Sequence, residues 1–340
     1  MPDYIFREFI MIDEIYPRLF LEILPEDVLN RNVEIRRLLA DRGEHQSIAS
    51  KYGELIAAVY KYSPGSDIGL KFGEHLWPQA LCDYSRGIVT SNDVGAAFKL
   101  VQNGFHIHGA SYYPFTLLKG RTFSFALTFP FKEQVPANQR RFCTEAVFSY
   151  MANTMKVTSD RGFTPYKVCF DFSMPPYMNE YKKLFGNNIS FDEPLNMIEF
   201  DESYLSKTFS ASNEALHKMY LKKNADAWKI KSREQARFEQ LAITYMLKNY
   251  PRSFHCSELA DMMNVSVRGL QKKLTKCDVT FSQLTNRVRK ELAKIYLIQG
   301  QQSIDKTADN LGFQSRSGFT RFFKAEFNQT PIEYLDLFTN

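Results

Sequence analysis

The sequence is poor in the features that announce chemistry or export. Five cysteines, Cys82, Cys143, Cys169, Cys256 and Cys277, are odd in number, far apart and without a Cys-x-x-Cys pair. That pattern suggests neither a disulfide framework nor a zinc site and fits a reducing compartment. Met1-Pro2-Asp3-Tyr4 opens no basic n-region, and no small-residue cleavage site follows. No apolar run reaches membrane-spanning length, so a soluble, cytoplasmic protein is expected. Gly-x-Ser-x-Gly elbow, Walker loop and Gly-x-Gly-x-x-Gly are all missing. His106 and His108 stand two apart, but no Cys or carboxylate accompanies them at ligand spacing. Neither metal nor other cofactor is implied. An enzyme built on the N-terminal part would need a converging catalytic constellation, and the sequence offers none.

Net charge is also nearly absent from most of the chain. Of the formal +5, residues 1–230 contribute −1, with 26 Lys and Arg against 27 Asp and Glu. Residues 231–340 hold 17 against 11, or +6. A basic excess confined to the last third points to a polyanionic partner for that part alone.

That third contains one pattern twice. Ser257-Glu258-Leu259-Ala260-Asp261-Met262-Met263-Asn264-Val265-Ser266 and Asp305-Lys306-Thr307-Ala308-Asp309-Asn310-Leu311-Gly312-Phe313-Gln314-Ser315 each run into a short basic helix. A helix-turn-helix needs a small residue where its helices touch, a residue tolerating positive φ in the turn, and a hydroxyl capping the second helix. Ala260, Asn264 and Ser266 meet those needs in the first unit; Ala308, Gly312 and Ser315 meet them in the second, whose turn is one residue longer. Two such matches so close together are hard to obtain by accident. Between them, Thr280 and Gln283 have capping-box spacing. Phe281, Leu284, Val288, Leu292 and Ile295 then form one apolar stripe. The implied helix, about 18 residues and roughly 27 Å long, is a strut. It can hold two reading helices toward successive major grooves, which lie roughly 34 Å apart.

Upstream the pattern is mixed. Residues 1 to about 60 read as mostly helical, with Leu19, Leu21, Ile23 and Leu24 leading into Val28 and Leu29. Lys61-Tyr62-Ser63-Pro64-Gly65-Ser66 is a break, and a further helical stretch follows. Arg121 to Phe129 alternates, with Phe123, Phe125, Leu127 and Phe129 on one face, as in a half-buried strand entered through a Lys119-Gly120 turn. Strands are also expected at Tyr166–Phe172, Asn188–Phe191 and Met197–Phe200, with helices over about 138–156 and 177–185. The fold class is therefore α+β for the N-terminal domain, followed by an all-α C-terminal domain. Its first helix is marked by Phe238, Leu241, Ala242, Tyr245 and Met246. The charged stretch around Lys222, Lys223, Asp226, Lys229 and Lys231 is the expected hinge, partly helical. Expected boundaries are 1–210 for an effector-binding or dimerisation domain, 211–235 for a helical linker and 236–340 for the DNA-binding domain, with helix-turn-helix units at about 256–276 and 304–326.

The segment Ser303-Ile304, Ala308, Leu311-Gly312-Phe313, Ser315, Ser317-Gly318-Phe319, Arg321-Phe322-Phe323-Lys324, Phe327, Pro331 and Tyr334 resembles the C-terminal signature of the AraC/XylS family of bacterial transcription regulators. Asn328 stands where Gly is usual, Thr307 where an aliphatic is, and Leu335 where Arg is common. Upstream, Phe185-Gly186, Ile189, Phe191, Pro194, Asn196, Ile198 and Phe200-Asp201, with Ile68-Gly69-Leu70, Gly73-Glu74 and Pro78, resemble the effector domain of the ornithine-utilisation type of these regulators rather than the jelly-roll sugar-binding type. Together the two stretches cover most of the chain. The resemblance implies a sequence-specific regulator, an activator recruiting RNA polymerase, controlled by a small-molecule effector, by homodimerisation, or by both.

Base contacts are expected from residues exposed on the first turns of each reading helix, where Arg and Lys pair with guanine and Gln with adenine. With Leu270 and Leu274 facing inward, the first helix leaves Arg268, Gln271 and Lys272 outward. With Phe319 and Phe323 buried, the second, over about 316–326, leaves Arg316, Ser317, Thr320 and Arg321. Lys273, Lys276 and Lys324 are expected on backbone phosphate, strong in salt dependence and weak in specificity. Phe123, Phe125, Tyr166, Phe170 and Phe172 can line an effector pocket, although alternating aromatics on strands more often form plain core. The alternative to a specific regulator is a non-specific architectural DNA binder.

Overall fold

The computed structural model describes residues 19–40, 48–76, 83–104, 112–129, 135–158, 162–231, 238–250, 254–299 and 303–339. The chain divides into two compact units, Met1–Trp228 and Lys229–Asn340.

The first unit begins with helices α1 (Glu26–Arg31), α2 (Val33–Ala40), α3 (Ile48–Tyr62), α4 (Ile68–His75), α5 (Asp83–Val89) and α6 (Val94–Gly104). A hairpin follows, β1 (Tyr113–Lys119) and β2 (Thr122–Thr128). Gly120 in the turn has φ +56°, a conformation glycine adopts without steric cost. Then come α7 (Ala137–Thr158), β3 (Lys167–Cys169), α8 (Met178–Phe185), β4 (Ile189–Ser190), β5 (Asn196–Asp201), a 3₁₀ turn and α9 (Glu214–Lys231), in which the boundary at Trp228 falls. The strands form one sheet in the order β1-β2-β5-β3-β4, with β3 and β4 parallel and the other pairs antiparallel.

Two expectations change here. The strand β1 falls in a stretch expected to be helical. It is an edge strand, where Pro114 costs no ladder hydrogen bond, and its Phe115-Thr116-Leu117-Leu118 run does not alternate. The strand β2 is not half-buried. It lies between β1 and β5, and Ser124, Ala126 and Thr128 are buried as fully as Phe123, Phe125 and Leu127. Burying those hydroxyls is tolerable because each has a partner: Ser124 donates to Glu199 Oε1 at 3.1 Å and Thr128 to the Tyr113 carbonyl at 3.5 Å.

Helix α7 is the keel of this unit. Phe148, Ala152 and Met155 join the core formed with the sheet, including Phe125, Phe170, Ile198 and Phe200. Phe142 and Ala146 join a second core with Phe20, Ile35, Leu55 and Phe72 from the N-terminal helices. Helix α4 lies so close to α7 that a Cβ on Gly69 would meet the Glu145 side chain and one on Gly73 would meet the backbone at Ala146 and Tyr150. Glu145 is fully buried, yet it accepts from Arg141 Nε at 2.9 Å, Tyr177 at 2.8 Å, Tyr181 at 2.5 Å and Tyr60 at 3.3 Å. Burial pushes its pKa up, and Arg141 and the phenol hydroxyls pull it back.

The second unit is all-helical: α10 (Phe238–Asn249), α11 (Cys256–Met262), α12 (Val267–Thr275), α13 (Phe281–Gln299), α14 (Ile304–Asn310), α15 (Arg316–Phe327) and α16 (Pro331–Thr339). The strut is α13. Its stripe Leu284, Val288, Leu292 and Ile295 is buried, with Phe281 half-buried, and Thr280 and Gln283 cap it reciprocally at 2.8 and 3.2 Å. Leu270, Leu274, Phe319 and Phe323 sit in the core at 1% exposure or less, each contributing about 1.5–3 kcal/mol by burial. The charged stretch expected to be a hinge is the second half of α9, continuous helix to Lys231.

Candidate nucleic-acid interface

The two helix-turn-helix units are built by the same local rules. In the first, Asn264 takes φ +52° just past α11. Its amide bonds the Asp261 carbonyl, and that of Val265 bonds the Ala260 carbonyl, both at 3.0 Å. In the second, Gly312 takes φ +70°, and its amide and that of Phe313 bond the Asp309 and Ala308 carbonyls at 2.9 and 3.0 Å. This pair of reversed bonds satisfies carbonyls a helix end would otherwise leave open, and it needs a left-handed residue. Ser266 and Ser315 then accept from the Gly269 and Gly318 amides at 3.0 and 3.2 Å, opening α12 and α15. Ala260 and Ala308 are each 1% exposed where the helices meet.

On the outer faces, Arg268, Gln271 and Lys272 of α12 and Arg321 and Lys324 of α15 are exposed. Among the described residues, no hydrogen bond or ion pair holds the side chains of Arg268, Gln271, Lys272 and Arg321 to the protein, so their donors are available to a ligand. Other candidates are engaged. Arg316 Nη1 lies 3.3 Å from Asp305 Oδ2, Ser317 Oγ lies 3.0 Å from the capping Ser315 Oγ, and Lys273 Nζ sits 5.0 Å from the centre of the Phe238 ring. Thr320 is half-buried rather than fully outward; Lys276 is exposed.

The basic excess of this unit points to a polyanion partner, but not all of its cations are free to meet one. On the strut, Arg287 pairs with Glu239 at 2.6 Å, Lys290 with Glu326 at 3.0 Å and Lys294 with Glu291 at 2.7 Å. These tie α13 to α10, α15 and itself. The signal for this was their position on a helix whose stripe is buried, within two residues of core at Val288 or Leu292.

Two helix-turn-helix units on one strut are a DNA-reading architecture, and the chain carries the matching family features on both sides of α9. Residues 25–209 match the arabinose-binding domain of AraC transcription regulators, N-terminal, and residues 259–336 match a helix-turn-helix domain family. The chain belongs to the AraC family of transcription regulators. It is 22% identical over 270 residues, 78% of each chain, to an ornithine utilization regulator of Pseudomonas aeruginosa. It is 29% identical over 91 residues to the HTH-type transcriptional activator CsvR of Escherichia coli, covering 27% of this chain and 34% of that one. A crystal structure of the transcriptional regulator CdpR from Pseudomonas aeruginosa aligns with TM-score 0.45 and 16% identity, over 92% of this chain and 99% of that one.

In the N-terminal domain of this AraC-family chain the aromatic set expected to line a pocket is scattered. Phe123, Phe125 and Phe170 are core, Phe172 is half-buried, and Tyr166 is 48% exposed with its hydroxyl donating to Asp201 at 2.6 Å. His106 and His108 lie outside the described residues. No described helix is long and apolar enough to cross a membrane.

Proposed function

We propose that this regulator binds promoter DNA sequence-specifically through α12 and α15 and activates transcription by recruiting RNA polymerase. The observation that carries the reading is the pair of capped helices presenting unengaged Arg268, Gln271, Lys272 and Arg321. Bidentate Arg and Gln side chains are suited to base edges in the major groove. Arg316 and Ser317 contribute once DNA displaces their local partners, half-buried Thr320 contributes from the same helix, and Lys273, Lys276 and Lys324 bind phosphate. The activating sign is supported by the Escherichia coli relative, which is named an activator. The N-terminal domain, spanning about 1–210, takes a small-molecule effector, dimerises, or does both, with 211–235 as linker and 236–340 as the DNA-binding domain. The protein acts in the cytoplasm, without catalysis.

The test uses a duplex recovered by the full-length chain from a random pool. Arg321→Ala is expected to cost about 1–3 kcal/mol on that duplex and to relax preference at one base position. Lys273→Ala is expected to weaken selected and random duplexes alike and to lower the salt slope by about one. Equal losses on both DNAs for Arg321→Ala would assign it to phosphate. A wild type that does not discriminate the two DNAs at fixed salt would make the chain an architectural binder.

A further inference from the structure

Arg289 touches structure belonging to both reading units. It lies mid-strut on α13, beside the buried Val288. Its guanidinium is sandwiched between two rings, 4.8 Å from the centre of Phe254 and 4.6 Å from that of Phe313. Phe254 leads into α11 of the first unit; Phe313 belongs to the turn of the second. Nε donates to the Leu311 carbonyl at 2.8 Å and an Nη to the Gly312 carbonyl at 3.2 Å. Those carbonyls close the C-terminal end of α14, where a cation also meets the negative end of the helix dipole. The turn itself leaves no slack: a Cβ on Gly312 would stand 3.3 Å from Phe254 Cδ2 and 3.4 Å from Arg289 Nη2.

No carboxylate balances this cation among the described residues, and burial lowers its pKa with nothing acidic to offset the effect. Its neighbours on the strut are different: Arg287 and Lys290 each have an acidic partner. A planar, delocalised, weakly hydrated guanidinium can stack on two aromatic faces while its edge donates to carbonyls. An ammonium of similar charge cannot do both.

We infer that Arg289 is a positioning residue for DNA recognition, a brace that fixes the second helix-turn-helix unit against the first and so sets the spacing of bases the two reading helices can engage together. The inference rests on the reading that both α12 and α15 contact DNA. Each extra base pair between two boxes moves the second by about 3.4 Å and turns it by roughly a tenth of a helical turn. A braced pair of helices cannot follow that displacement; an unbraced pair follows part of it.

The experiment measures full-length chain on the selected duplex and on duplexes with one base pair inserted or removed between the two boxes. Wild type is expected to lose about tenfold or more on the altered spacings, the scale of one misplaced base contact. Arg289→Met, which keeps much of the apolar stem, is expected to bind the selected duplex more weakly but to lose less than about threefold on altering the spacing. Arg289→Lys is expected to behave like Arg289→Met, because charge without the planar fork is not a brace. Should Arg289→Met fail to give a cooperative melt, Arg289→Lys and Phe254→Leu, which removes one stacking face, decide the matter. A variant as spacing-sensitive as wild type overturns the brace while leaving two-headed binding intact. Full rescue by Arg289→Lys overturns it in favour of a charge role. A wild type indifferent to spacing overturns both the brace and the two-headed reading on which it stands.

Discussion

Thr307 shows how a single residue records a compromise in the reading unit. It stands on α14 at zero exposure, and its hydroxyl has no hydrogen-bond partner among the described residues. A buried, unpaired hydroxyl costs about 1–3 kcal/mol. Valine has nearly the same shape without that group, so Thr307→Val is expected to raise stability by about 1 kcal/mol, read as a higher melting temperature of the C-terminal unit. A lower melting temperature would mean that the hydroxyl has a partner the packing conceals. At this scale the sequence was most legible where backbone geometry restricts residue choice. Asn264, Gly312 and Asn328 could be read as left-handed positions, and all three have positive φ; Ser266 and Ser315 could be read as caps, and both cap. The engagement of Arg316 by Asp305 and of Lys273 by the Phe238 ring was not legible. Both depend on which rotamer a long side chain takes across a tertiary contact, and no local spacing encodes that.

Helices and strands differ in how well their periods survive burial. The strut could be read because a partly exposed helix must show its stripe, and α13 runs from Phe281 to Gln299 behind a cap visible in the sequence. Strand β2 misled because a strand buried on both faces needs only small or satisfied residues on its second face, and Ser124, Ala126 and Thr128 look solvent-facing in a pattern. The α4–α7 contact was legible only as a resemblance around Gly69 and Gly73; its cause is close approach of two helices. It follows that Gly73→Ala should be severe. A Cβ there would stand 2.8 Å from the Tyr150 backbone nitrogen, and backbone cannot swing aside. The expected cost is about 2–3 kcal/mol, at the upper end for overpacking, measured by denaturant unfolding of the full chain. Gly65→Ala is the control, since its Cβ would make ordinary contact with Pro176 at 3.5 Å; it is expected to stay within about 0.5 kcal/mol. Equal stability of the two variants would show that α4 can shift away from α7 without loss.

For the molecule as a whole, the division of charge sets what each unit can contribute. The first 230 residues carry almost no net charge, so they add little attraction for DNA, whereas the all-helical unit carries the excess and both reading helices. It contains a core: Leu241, Ala242 and Met246 of α10, Leu284, Val288 and Leu292 of α13, and Phe319 and Phe323 of α15 are all buried. A fragment of residues 229–340 is therefore expected to fold alone and to bind the selected duplex as a monomer, with the same salt slope as the full chain per bound copy, because the phosphate contacts are all within it. Full-length protein is expected to exceed the fragment only on DNA carrying paired sites. There, a dimerising N-terminal domain makes the second contact intramolecular, and avidity can rise by about 10²–10⁴ without any new contact to DNA. An effector that favours the DNA-competent state would widen that gap, and DNA would tighten effector binding by the same factor. Circular dichroism and sedimentation of the fragment come first, followed by titration of both proteins onto one-site and two-site duplexes. An unfolded fragment would show that the helical unit needs the N-terminal one for stability. A full-length chain that stays monomeric at micromolar concentration and gains nothing on paired sites would leave effector binding as the N-terminal domain's proposed contribution.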